Sequence, residues 1–119
     1  MTELNSIDKF GKFLVENLRD RGIQSAEFLL ENKWKAPSLQ KLQLELSKLS
    51  DAQKGLVMQT VTQCIDTAIH DFLFAIQEKF DFENDIQILV DNENIVELSD
   101  GIHGEAYTDE GWYARFSQY

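Results

Sequence analysis

Ile7, Phe10, Phe13, Leu14 and Leu18 recur at three- and four-residue steps, which places them on one stripe of a helix predicted from about Ser6 to Arg21. Gly22 is expected to end it. Ser25 followed by Ala26, Glu27, Phe28, Leu29 and Leu30 predicts a short second helix to about Lys33, with Trp34 packed at its end. Pro37 suits the first turn of a third helix, where a missing N–H is no loss, and Leu39, Leu42, Leu46 and Leu49 supply its apolar stripe. Ser50 and Gln53 then form a capping-box pair at the head of the longest helix, about Asp51 to Phe80.

On that helix Val57, Val61, Cys64, Ile65, Ala68, Ile69, Phe72, Ile76 and Phe80 fall within about half the circumference and are predicted to form the core-facing side. Cys64 is read as a small buried hydrophobe. Leu56 and Phe74 project from the polar side, so another element or a second subunit is expected to cover them. After Phe80 the pattern changes. Ile86 to Val90 and Ile95 to Leu98 read as strands around the turn residues Asp91 to Asn94, giving a β-hairpin over about 86–98. Thr108, with Asp109 and Glu110 after it, reads as the N-cap of a closing helix carrying Trp112, Phe116 and Tyr119 on one side. The expected fold is α+β and predominantly helical: four N-terminal helices, a C-terminal hairpin and a short closing helix, in one domain spanning 1–119.

Charge changes this picture most. Residues 81–119 hold ten carboxylates against Arg115 alone, most of the net charge of −10, whereas residues 1–35 balance six acids against six bases. An acidic surface of this kind lowers its self-repulsion by meeting something positive. A pI near 4.5 argues against nucleic acid and against an anionic membrane surface. The single cysteine allows no internal disulfide, no stretch is apolar enough to span a bilayer, and Met1 to Asn5 lack the order of a secretory signal; a cytoplasmic protein is expected.

The last twenty residues concentrate the special residue types. Asp100-Gly101-x-x-Gly104-Glu105 and Gly111-Trp112 resemble the C-terminal pattern of a group of small bacterial proteins without an established activity. Gly101 and Gly104 are expected to give a loop with backbone angles other residues avoid, which makes Asp100, His103 and Glu105 candidates to converge on a cation, although their spacing matches no metal signature. Solvated charges around a turn are the plainer reading. His70 follows Asp66 by four residues, close enough for the carboxylate to orient the imidazole, and Cys64 sits on another side of the helix from His70. There is no nucleophile elbow, phosphate loop, dinucleotide fingerprint or His-Glu-x-x-His, so no catalytic, cofactor or metal residue is assigned.

An acidic rim around aromatic anchors is what a basic protein partner would dock against. The residues expected to make that contact are Glu97, Asp100, His103, Glu105, Tyr107, Asp109, Glu110 and Tyr113, the last expected to be exposed while Trp112 and Phe116 go to the core. An immunity-type inhibitor of a bacterial toxin has this charge logic, by analogy. The alternatives are a homodimeric structural module using Leu56, Phe74 or the hairpin edge, and a small hydrolase using His and carboxylate chemistry.

Overall fold

The computed structural model describes residues 3–119. Asn5 caps helix α1 (Ser6–Leu14), its side chain accepting the Asp8 N–H at 2.8 Å. The helix does not stop at Gly22. It passes through one wide turn, Val15–Arg19, in which the Asp20 N–H donates to the Val15 carbonyl five residues back, and continues as α2 (Asp20–Leu30). That extra residue rotates everything after it. The inward stripe therefore runs Leu14, Val15, Arg19, Ile23, Ala26 and Leu30, and the predicted core residues Phe13 and Leu18 face outward.

Asparagines, not glycines, end the two long helices. Asn32 adopts φ 59° while the Lys33 N–H donates to the Phe28 carbonyl, and Asn84 adopts φ 53° after α4. Helix α3 (Pro37–Ser47) starts at the proline as predicted, and buried Gln43 braces the turn before it by holding the Trp34 N–H and C=O. The capping box of α4 (Asp51–Phe82) is formed by Ser50 and Gln53, so the long central helix is present and slightly longer than predicted. Its buried residues are Ile69, Leu73 and Ile76; Cys64, Ala68 and Phe72, expected in the core, lie on the surface.

The hairpin is shorter than predicted. Strands β1 (Leu89–Val90) and β2 (Glu93–Asn94) pair across the two-residue turn Asp91-Asn92, both at positive φ. Ile95–Leu98 is then a helical turn, α5, instead of a strand. Ile95 and Val96 are both fully buried, which the alternation of a one-faced strand cannot achieve, and Asn94 caps the turn by accepting the Val96 N–H. A 3₁₀ turn follows at Ile102–Gly104, then α6 (Trp112–Phe116).

Thr108 is not the cap of α6; Gly111 is, and Asp109 and Glu110 occupy the turn before it. Gly111 is required because a Cβ would lie 2.7 Å from the Ala106 carbonyl group, where the Trp112 and Tyr113 N–H groups bond back to Glu105 and Ala106. Gly101 and Gly104 carry no left-handed backbone, so their expected role in the loop is not conformational. Tyr119, placed by sequence on the buried side of α6, lies beyond the helix and is exposed.

Trp112 locks this segment down. Its ring is fully buried against Phe10, edge to face at 6.0 Å between centroids, and occupies the space a side chain at Gly11 would need. The core joins Leu14, Val15, Ile69, Leu73, Ile95, Ile102, Ala106 and Trp112. The radius of gyration is 17.3 Å, well above the roughly 13.5 Å expected of a globular chain of this length. The helical part is thus elongated, with the C-terminal segment laid along one side.

Gly11→Ala is expected to cost about 2–3 kcal/mol through overpacking against Trp112 despite its better helix propensity. Gly22→Ala meets only the Ile65 Cδ1 methyl at 2.8 Å, a flexible side-chain end, and is expected to cost under about 1 kcal/mol. Trp112→Ala is expected to cost about 3–5 kcal/mol. Urea unfolding of the three variants checks this ordering.

Candidate functional site

The C-terminal segment reaches α4 through one turn. The Ile102 N–H donates to the Gln77 side-chain oxygen at 3.0 Å, and Ile102 itself is buried. The next residue, His103, then stands edge-on to Phe74 at 4.9 Å and to His70 at 5.5 Å. Both histidines of the chain therefore share one patch with Tyr107, whose ring is 5.7 Å from His70 and whose hydroxyl donates to the Asp66 backbone carbonyl at 3.0 Å. Residues 33 positions apart in the sequence offered no local signal of this meeting; it arises because the 3₁₀ turn aims His103 back at α4. Phe74, one of the two apolar exceptions on that helix, is covered in part by His103, while Leu56 remains exposed.

Asp66 does not orient His70. Its carboxylate takes Arg19 Nε at 2.5 Å and a second guanidinium nitrogen at 3.1 Å, and the His70 ring nitrogen Nδ1 instead lies 3.1 Å from Asp71. Arg19 is nearly buried at 7% exposure, and its hydrogen bond with Asp66 holds the guanidinium charged. Arg19 also donates to the Ser117 hydroxyl, which donates to Asp20, and lies 4.2 Å over the Tyr113 ring. The wide turn in the first helix explains this site: it brings the consecutive pair Arg19 and Asp20 inward, where sequence periodicity placed Leu18.

Tyr113 is consequently not the exposed contact expected of it. It is half-buried beneath Arg19, its hydroxyl has no hydrogen-bond partner, and burial pushes its phenol well above the usual range. Tyr107 keeps the exposed position, about half accessible. Asp100, His103 and Glu105 do not assemble as ligands; among the described residues no group of three or more His, Cys, Asp or Glu side chains is arranged to hold a metal ion. The hollow beside His70, lined by Gln63, Asp66, Thr67 and Tyr107, measures about 300 Å³.

The acids divide into two sets. Asp91 pairs with Lys9, and Glu83 and Asp85 share Lys79. Arg115, the one cation of the C-terminal third, is drawn off by Asp8 in a two-pronged contact at 2.6 and 3.0 Å. Among the described residues Asp81, Glu93, Glu97, Asp100, Glu105, Asp109 and Glu110 make no ion pair, and all but Glu105 are exposed. Burial and the neighbouring charges of Asp8 and Asp100 raise the Glu105 carboxyl above the ordinary range, with Arg115 offsetting only part. No protein-family model, curated protein or solved structure matches this chain. No helix of the described residues is long and apolar enough to cross a membrane.

Asp66→Ala leaves the Arg19 charge uncompensated but spares the backbone carbonyl used by Tyr107, and is expected to cost about 3 kcal/mol in urea unfolding. Replacing both partners, Arg19→Met with Asp66→Leu, is expected to recover most of that loss. Because the folded-state pKa of Glu105 is raised, its ionisation favours the unfolded chain and stability is lost as pH rises through the folded value. Glu105→Gln is therefore expected to raise Tm at neutral pH, with the gain vanishing below about pH 4. Thermal unfolding from acid to neutral pH reads this directly.

Proposed function

We propose that this protein is a non-catalytic binding module whose acidic C-terminal lobe docks on a basic surface of a protein partner, as an immunity-type inhibitor docks on a cationic bacterial toxin. The observation that carries the reading is the set of six carboxylates between Glu93 and Glu110 that have no ion pair among the described residues, held on a backbone anchored by the buried Ile95, Val96, Ile102, Ala106 and Trp112. A fixed array of unneutralised acids is pre-organised for a cationic face, since little ordering entropy remains to be lost on binding. Exposed Leu98 and Tyr107 supply apolar anchors beside the charges. The commitment of Asp66 to Arg19 takes away the carboxylate four residues before His70, and the Asp71 carboxylate that His70 does meet is exposed to solvent instead of enclosed in a site. A cytoplasmic setting fits a chain with one cysteine and a partner met inside the cell.

Electrostatic docking of this kind is fast and salt-sensitive. Binding to candidate cationic nucleases or other basic toxins is expected to weaken at least about tenfold between about 0.05 M and 0.5 M salt. The variant Glu97→Lys with Asp100→Lys and Asp109→Lys is expected to lose binding at unchanged Tm, because all three side chains are exposed. Titration calorimetry at both salt concentrations tests the proposal. Absence of a complex with every cationic candidate at low salt, or binding indifferent to the three charge reversals, would overturn it.

A further inference from the structure

The hollow of about 300 Å³ lined by Gln63, Asp66, Thr67, His70 and Tyr107 is a site made of acceptors. The Gln63 amide nitrogen donates to the Thr67 hydroxyl at 3.1 Å, which leaves the amide oxygen an acceptor. Each Asp66 carboxylate oxygen takes one bond from Arg19 and keeps a further lone pair, and this side chain is 21% exposed. A His70 that donates its Nδ1–H to Asp71 keeps Nε2 of the neutral ring as an acceptor. Among the described residues no Lys or Arg lines the hollow.

Tyr107 adds a ring. It is about half exposed, yet held in place by its hydroxyl bond to the Asp66 carbonyl and by edge contact with Tyr113, 5.5 Å between centroids. The field at its hydroxyl is negative. Burial raises this phenol above its ordinary range, and of the charges around it Asp66 raises it most, Arg19 takes back part and Asp71 raises it again.

We infer that this hollow seats an arginine side chain of the basic partner, stacked on the Tyr107 ring with its guanidinium N–H groups donating to Gln63, His70 and Asp66. The inference rests on the proposed docking for the source of that arginine and names the contact that would anchor it. Acceptors in a negative field select a cation and reject an anion. The aromatic face selects arginine over lysine, because a planar guanidinium stacks on a ring while its N–H groups stay free to donate in the same plane. The chain already holds one guanidinium in this way. Arg19 lies 4.2 Å over Tyr113 and grips Asp66 through two nitrogens. Tyr107, beside Tyr113 and open to solvent, offers the same kind of ring to a guanidinium arriving from outside.

Size and position agree. About 300 Å³ is the lower end of small-molecule sites and suits a single side chain. Glu105, Asp109 and Glu110 flank Tyr107 in the chain without an ion pair among the described residues, so a cationic face drawn to the lobe arrives beside the hollow. The contacts that fix Tyr107 and His70 exist before binding, which leaves little ordering to be done.

The test is a titration of the full chain, followed by amide NMR near pH 7.5, with N-acetyl-arginine amide up to about 50 mM. N-acetyl-lysine amide and uncharged N-acetyl-citrulline amide are titrated at matched ionic strength. The expected result is saturating shifts centred on Gln63, Thr67, His70 and Tyr107, with a Kd on the order of millimolar for arginine. Lysine is expected to bind about two- to fivefold more weakly, and citrulline not to saturate. Tyr107→Ala is expected to weaken arginine about fivefold, Gln63→Ala about twofold, and Tyr107→Phe, which keeps the ring, less than about twofold. The amide spectrum of each variant reports whether it is folded, and exposed Gln63 carries the test should Tyr107→Ala unfold. No shift at these four residues, equal affinity for lysine and arginine, or an affinity indifferent to both alanine variants would overturn the inference. Basic proteins that bind equally to the wild type and Tyr107→Ala would overturn it while the docking reading stands. A hollow that takes arginine in a protein no basic partner binds would overturn the docking reading and leave the site in place.

Discussion

The burial of Trp112 against Gly11 is the contact on which the rest of the molecule depends. Glycine at position 11 leaves a notch in the first helix, and the indole fills it while Phe10 meets the ring in a T-shaped contact. With Ile95 and Val96 buried at the other end, the stretch between them is fixed at both ends and again at Ile102. A segment of eighteen residues from Glu93 to Glu110 with six acids has the composition of a solvated, disordered tail. Burial of these few apolar side chains instead makes it a surface with defined positions.

Arg19 provides the second tie. Its guanidinium links the first helix to Asp66 of α4 and to Ser117 beyond α6, and it lies over Tyr113. Two of the three arginines are spent on structure in this way, Arg19 on Asp66 and Arg115 on Asp8, and residues 81–119 contain no other Lys or Arg to neutralise the lobe. The same wide turn that draws Arg19 inward turns Leu18 outward, into an apolar groove between the first helix and α4 that Phe13, Ile65 and Phe72 also line.

Much of the architecture was legible in the sequence because it rests on local chemistry. Pro37 begins α3, Ser50 and Gln53 cap α4, and the turn chemistry of Asp91-Asn92 makes the hairpin. Gly22 misled because a glycine inside a helix can serve close packing as well as termination, and here Ile65 occupies the space beside it. The true stop signals, Asn32 and Asn84, were readable in principle, since asparagine tolerates the left-handed backbone of a helix cap. The wide turn had no signature in hydrophobic spacing, and without it the inward face of the first helix was assigned one residue out of phase.

The candidate site was only partly legible. The acids and Tyr107 were identifiable from composition, whereas the meeting of His70 with His103 and of Arg19 with Asp66 depends on contacts 33 and 47 residues apart. Whether the lobe is a fixed surface is most directly tested by amide hydrogen exchange on the uncomplexed protein. The amides of Ile95, Ile102 and Trp112, bonded to Ile88, Gln77 and Glu105, are expected to exchange only on global unfolding, with the protection of Ile69 and Leu73 in α4. Rapid exchange at those three positions beside a protected α4 would mean that the acids ride on a frayed tail, and would contradict a pre-organised docking surface.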